Sequence, residues 1–149
     1  MQSIDLVVRP LELSRSRPPD CIVPFIDDHD LVELVTEFEE ARGYEPAGGY
    51  DGIVPAHYAF GPLPPYYLGR PDGASRREIF VLGCSCGELG CWPLEVRVDL
   101  RRDTVVWSAF RQPHRPDRSY DGFGPFTFDR RRYEAVVVDI AASLDRPAR

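Results

Sequence analysis

The chain has 149 residues, of which 43% are apolar and 28% charged, values typical of one domain with an ordinary core. Its formal net charge is −6, which disfavours binding to nucleic acid, a polyanion. The longest apolar runs span a few residues, far short of the ~20 that a membrane-spanning helix needs. The first residues lack the pattern of a signal peptide. We therefore expect a cytoplasmic protein with reduced thiols and no membrane or nucleic-acid partner.

Two short strands are predicted at the start of the chain. Residues Ser3–Leu13 alternate between apolar and polar side chains, with a break expected at Pro10. Cys21–Ile26 is a second apolar run. Pro24 lacks an amide donor, so this run is expected to be an edge strand or a strand with a break.

An amphipathic helix is predicted to follow these strands. Asp28 or Asp30 can cap its free amides, and Gly43 can end it in the left-handed conformation. Apolar residues recur at the spacing of one helical face, and acidic residues occupy the opposite side. The apolar face comprises Leu31, Leu34, Val35, Phe38 and Ala41, and the wet side comprises Glu33, Glu37 and Glu40.

Residues 44–75 form an irregular segment rich in glycine, proline and tyrosine. A segment of this length without regular structure is uncommon inside a small domain. One interpretation is that its aromatic side chains fix a loop onto the core. The other is an aromatic-lined binding surface.

The second half of the chain predicts an antiparallel meander. Arg77–Cys84 is apolar on both faces, as in a central strand, and Cys91–Leu100 alternates between a core face and a wet face. Thr104–Arg111 is the next strand, and Phe126–Phe128 is a short extended piece. Because the links between the first three are short, these strands are expected to pair in order.

A second amphipathic helix closes the chain, with Asp129 as its expected cap. Its apolar face comprises Tyr133, Val136, Val137, Ile140, Ala141 and Leu144. Together the elements predict an α+β fold, with an antiparallel sheet of about four to six strands and two helices packed on it. We expect one domain over residues 1–149.

Three cysteines fall within eight residues, Cys84, Cys86 and Cys91, in a glycine-containing stretch between two predicted strands. Thiolates that converge in this way are zinc ligands, and glycines let the backbone wrap the ion. The spacing differs from the usual pair of C-x2-C motifs, so the zinc signal is moderate. A fourth ligand would come from elsewhere, with His114 as the first candidate and Cys21 as the second.

The same cysteines permit other interpretations. Reduced thiols can simply pack as small apolar groups, or Cys86 and Cys91 can form a labile disulfide across the hairpin tip. A thiol-dependent enzyme or redox protein would use Cys86 or Cys91, with His57 or His114 nearby. The sequence contains none of the common nucleotide-binding or hydrolase motifs that would favour an enzyme.

A small anion-binding patch is a further candidate site. Its candidate residues lie in and after the third strand of the meander: Trp107, Arg111, Arg115, Arg118 and Tyr120. The three arginines could present guanidinium groups to an anion beside the hairpin. The alternative is a solvated rim in which these arginines pair with neighbouring aspartates.

Several stretches are similar to an uncharacterised family of small bacterial proteins, mostly from actinobacteria. They are Leu82–Leu94, which contains C-x-C-G-x-x-G-C-W-P-L, together with Trp107–Pro113, Phe126–Asp129 and Asp30–Val35. The resemblance covers most of the chain outside residues 44–75. That family has no established activity, so the resemblance implies a single domain and nothing about function.

We therefore expect a non-enzymatic cytoplasmic binding or interaction module with a structural cysteine-rich hairpin, with or without bound zinc. Its partner would be a protein or a small molecule. The alternative is the thiol-dependent enzyme described above. A third possibility, a protein that neutralises a toxin or another specific partner, rests only on small size and acidity.

Overall fold

A computed structural model describes residues 1–11, 18–57, 62–70, 77–86 and 91–144. It has the predicted α+β architecture, with antiparallel sheets and helices packed against them. The strands are β1 Ile4–Pro10, β2 Asp20–Ile26, β3 His29–Asp30, β4 Tyr50–Asp51, β5 Glu78–Cys84, β6 Leu94–Leu100, β7 Thr104–Arg111 and β8 Phe126–Asp129. The helices are α1 Leu31–Ala41, α2 Leu63–Tyr67 and α3 Arg130–Leu144.

The strands form two sheets. A five-stranded antiparallel sheet has the order β4-β5-β6-β7-β8, so the predicted meander is confirmed, and β5 has neighbours on both sides as expected. A separate three-stranded sheet has the order β1-β2-β3, which the sequence did not indicate. Two isolated β-bridges add to these sheets. Gln2 pairs with Phe128 of β8, and Ile22 of β2 pairs with Ile53.

Strand β2 is the middle strand of the smaller sheet. Of the two predicted alternatives, an edge strand or a strand with a break, the edge strand was therefore wrong. The Ile22 amide donates a hydrogen bond to the Ile53 carbonyl, on the side of β2 away from β1. The backbone nitrogen of Pro24, two residues later, points to that same side. The pairing with β3 begins only at Phe25. Pro24 therefore lies in a gap between two partners, where its missing donor costs no ladder hydrogen bond.

Helix α1 begins as predicted. The Asp30 carboxylate accepts a hydrogen bond from the Val32 amide at 2.8 Å, and Gly43 has the left-handed φ of 73° just past the helix end. Asp28 is instead part of the turn between β2 and β3, with φ of 65°. Along the helix Ala41 is exposed, whereas Glu39 is fully buried, a departure from the predicted face.

Strand β6 alternates as predicted except at Glu95, which is buried although it was predicted to lie on the solvent-exposed face. The register between β6 and β7 is irregular at this position, where Glu95 pairs with Arg111 but Arg97 pairs with Ser108. The extra residue on β7 is accommodated at Ala109, whose φ is 53°.

The segment predicted to be irregular, residues 44–75, contains short regular elements within its described part. These are β4, a 3₁₀ turn at Pro55–His57, and α2. Tyr66 and Tyr67 of α2 are buried, which supports the interpretation that aromatic residues anchor this segment to the core.

The main core lies between the sheets and helices α1 and α3. Asp129 caps α3 as predicted, because its carboxylate accepts from the Arg132 amide at 3.0 Å. Strand β7 is joined to α3 in the core, where the fully buried Trp107 donates its indole N–H to the Tyr133 hydroxyl at 3.1 Å. Within the described ranges, no helix has both the length and the apolar character required to cross a membrane.

Candidate metal site

The connection between β5 and β6 brings three cysteine sulfurs together. The Sγ atoms of Cys84, Cys86 and Cys91 all lie within 4.8 Å of one another, as the sequence predicted. Cys84 is half-buried at the end of β5, and the other two are exposed. All three are free thiols, so the group has no disulfide across the tip.

This arrangement could hold a metal ion. Zinc–sulfur bonds of about 2.3 Å in a tetrahedron place neighbouring sulfurs roughly 3.8 Å apart. The observed separations, at most 4.8 Å, require only small side-chain movements to reach that geometry. Thiolates are the ligands that soft and borderline cations prefer, so the donor set suits a metal such as zinc.

Neither residue considered as a fourth ligand belongs to this group. His114 is exposed in the loop after β7, where its backbone amide donates to the Gln112 side chain at 2.9 Å. Cys21 is fully buried in β2, with its sulfur 3.6 Å from an Asp51 oxygen. Burial and the nearby carboxylate raise the pKa of Cys21 to about 11, so this thiol is a poor ligand or nucleophile.

Two consecutive glycines hold both arms of the cysteine hairpin. The Ser85 amide donates to the Gly49 carbonyl, and the Trp92 indole N–H donates to the Gly48 carbonyl, each at 2.9 Å. Tyr50, the next residue, pairs with Cys84 in the sheet. The Gly48–Tyr50 segment therefore holds the backbone at Cys84 and Ser85 and the side chain of Trp92, one on each side of the sulfur cluster.

That segment is attached to helix α1 through Glu39, whose side chain is fully buried. One carboxylate oxygen accepts from the Gly48 amide at 2.8 Å. The other accepts from the hydroxyls of Tyr50 at 2.8 Å and Tyr120 at 2.5 Å, and Arg118 lies 3.3 Å from it. The charge is thus compensated by a cation and several donors, as burial of a carboxylate requires.

The sequence analysis missed Glu39, although its spacing contained a signal. Leu31, Val35 and Glu39 are four residues apart and lie on one helical face, where a buried residue is expected. Its partners, however, lie outside the helix: Gly48 and Tyr50 are 9 and 11 residues away in sequence, and Tyr120 is 81 residues away. No local pattern could have indicated that this glutamate would be paired.

Two arginines of the loop after β7 lie against the indole of Trp92, which directly follows Cys91. The Arg115 guanidinium is 4.7 Å from the Trp92 ring centroid and the Arg118 guanidinium is 5.4 Å from it. Arg118 also stacks on Tyr44 at 5.1 Å and is almost completely buried, whereas Arg115 is exposed. Such cation–π contacts place positive charge on the ring of Trp92, the residue that follows Cys91.

The four residues of the predicted anion-binding patch occupy different environments. Trp107 belongs to the core and Tyr120 is buried against Glu39, so neither presents a surface. Arg111 pairs with Glu95 at 2.5 Å, and Arg115 alone remains available beside Trp92. His57, an earlier candidate for a thiol–histidine pair, ends the 3₁₀ turn, and its side chain lies outside the described residues.

No family model, no curated protein and no solved structure matches this chain. The resemblance to a bacterial family therefore stays a prediction.

Proposed function

We propose that this protein is a non-enzymatic binding module of the cytoplasm whose cysteine hairpin binds zinc. The observation that carries the proposal is the convergence of the Cys84, Cys86 and Cys91 sulfurs within 4.8 Å. Reduced thiols of the cytoplasm are available as ligands, and zinc is the metal that most often uses them structurally.

The backbone around the cluster supports a structural role for the metal. Hydrogen bonds from Ser85 and Trp92 to the two glycines hold the two arms of the hairpin in place. A metal that joins the sulfurs would close the loop between those arms and stabilise the folded state by its binding free energy. The partner is a protein or a small molecule, since a net charge of −6 disfavours nucleic acid.

Metal analysis of protein purified without added zinc tests the proposal. We expect about one zinc per chain, because one cluster supplies thiolates for one ion. Cys84→Ser, Cys86→Ser and Cys91→Ser should each weaken zinc binding by more than about tenfold, the loss that even outer partners of a ligand can cause.

Cys21→Ala is the matched control, since it removes a thiol that lies outside the cluster. This variant should retain the zinc of the unaltered protein. Purified protein without zinc, and without affinity for added zinc, would contradict the proposal.

The alternative is a thiol-dependent enzyme or redox protein, and the exposure of Cys86 and Cys91 favours it. Thiol titration separates the two functions. A zinc module should have three thiols protected until a chelator is added, whereas an enzyme should have a single fast-reacting thiol regardless of chelator.

A further inference from the structure

Within the part of the chain that the structure describes, the cysteine cluster has three donors. Among the described histidine, cysteine, aspartate and glutamate side chains, no fourth joins the group formed by Cys84, Cys86 and Cys91. Zinc is usually bound by four ligands in a tetrahedron, so three cysteines leave one coordination position to be filled. The cluster is also at the surface, because Cys86 and Cys91 are both exposed. An incoming molecule can therefore reach the metal.

We propose that the fourth coordination position is filled by an anionic donor, such as a thiolate or carboxylate, from another molecule. This inference rests on the proposed zinc site. It makes the hairpin a point of attachment for a ligand and not only a structural clip.

The preference for an anion depends on the charge near the site. Zinc with three thiolates has a net charge of −1, so a further anion is disfavoured unless positive charge lies nearby. We assign that role to Arg115, because it is exposed and its guanidinium is 4.7 Å from the ring of Trp92, the residue after Cys91. Among the described residues it has no carboxylate within 4.0 Å, and its side chain donates only to the His114 carbonyl. Arg118 is less available because it pairs with Glu39.

Cobalt(II) substitution tests this inference, because the visible absorption of cobalt reports its ligands. We would load the protein with cobalt and titrate it with azide and 2-mercaptoethanol as anionic donors and with imidazole as a neutral one. A saturable change of the cobalt spectrum with azide or the thiol is expected. Arg115→Ala should weaken the apparent azide affinity by about two- to fivefold, the size of an exposed charge interaction, and leave imidazole unaffected.

Arg102→Ala is the matched control, since Arg102 is exposed in the turn at the far end of β6. It should leave both affinities unchanged. An equal loss in the Arg102 and Arg115 variants, or no loss in either, would overturn the assignment of the anion preference to Arg115.

The test distinguishes failure of the inference from failure of the zinc site. If cobalt binds through the three cysteines but no added donor changes its spectrum, the fourth ligand comes from the chain itself and the inference is overturned. Glu88→Gln and His114→Ala would then identify it, because these residues offer a carboxylate between the cysteines in sequence and an exposed imidazole. If neither cobalt nor zinc binds, both the proposed function and this inference are wrong.

Discussion

A single buried carboxylate, that of Glu39, connects helix α1 to the segments around the cysteine hairpin. Its two oxygens accept hydrogen bonds from a backbone amide and two tyrosine hydroxyls, and one of them pairs with Arg118. Inside a protein such interactions are strong when every partner is present and costly when one is missing. The effect of removing the charge should therefore be large.

Glu39→Gln is predicted to lower the free energy of unfolding by about 2–4 kcal/mol. The amide nitrogen of glutamine would face groups that already donate, and Arg118 would lose its buried counter-ion. Urea unfolding measures the change. Glu40→Gln, at the exposed neighbouring position, should remain within about 0.5 kcal/mol of the unaltered protein. Equal stability of the two variants would show that the Glu39 charge contributes nothing.

At the scale of the elements, the Gly48–Tyr50 segment runs close to helix α1 and fixes the cysteine hairpin. Gly48 has the left-handed φ of 78°, and a β-carbon there would lie 2.9 Å from the Thr36 hydroxyl oxygen. Thr36 has little freedom to move, because its hydroxyl donates to the Val32 carbonyl at 2.6 Å. Glycine is therefore needed for both its conformation and its small size.

Gly48→Ala is predicted to destabilise the fold and to weaken zinc binding by about tenfold, since the shifted segment would no longer hold Trp92. Gly43→Ala separates the cost of the left-handed backbone conformation from the cost of overpacking against Thr36. Gly43 has a similar φ of 73° but nothing within 4 Å, so its variant carries only the left-handed strain of about 1–2 kcal/mol. Overpacking should cost Gly48→Ala a further 1–3 kcal/mol, roughly.

Unfolding by urea and zinc titration of both variants measure these effects. Zinc affinity should be unchanged in Gly43→Ala, because a β-carbon there has no described atom within 4 Å to displace. An equal loss of stability in the two variants would mean that the space beside Thr36 is not limiting.

For the molecule as a whole, buried hydroxyl and thiol groups determine the response to alkaline pH. Burial raises the pKa of five tyrosines above the ordinary value, that of Tyr120 to about 12, and burial also raises that of Cys21 to about 11. The five are Tyr50, Tyr66, Tyr67, Tyr120 and Tyr133. Each can ionise at its ordinary pKa only after the chain unfolds.

Stability is therefore predicted to fall as the pH rises above about 9 to 10, where cysteine and tyrosine ionise in the unfolded chain. In that range the folded state binds more protons than the unfolded state, so each group lowers the free energy of unfolding by about 1.4 kcal/mol per pH unit. The loss from Tyr120 is complete near its folded pKa of about 12.

Urea unfolding at stepped pH, followed by circular dichroism together with tyrosinate absorbance, measures this dependence. Most of the tyrosinate signal should appear in the same transition that removes the secondary structure. Smooth titration of all the tyrosines with the fold intact would contradict the prediction.

The sequence by itself determined the long strands, the two long helices and their order. Periods of two and 3.6 residues identified the meander strands and both long helices, because a side chain's spacing sets the face on which it lies. Close spacing along the chain was also sufficient to predict the cysteine cluster. Cys84 ends β5, Cys86 lies in the turn after it, and Cys91 precedes β6, so a short hairpin connection brings them near each other.

Only the tertiary structure decided which distant groups meet. Three features depend on contacts between different segments of the chain. They are the separate sheet of β1, β2 and β3, the burial of Glu39, and the position of Arg115 over Trp92. A local pattern records how a residue faces its neighbours in the chain but not which distant group provides its partner. That difference explains why the three thiols were predictable, whereas the hydrogen bonds that hold them in place were not.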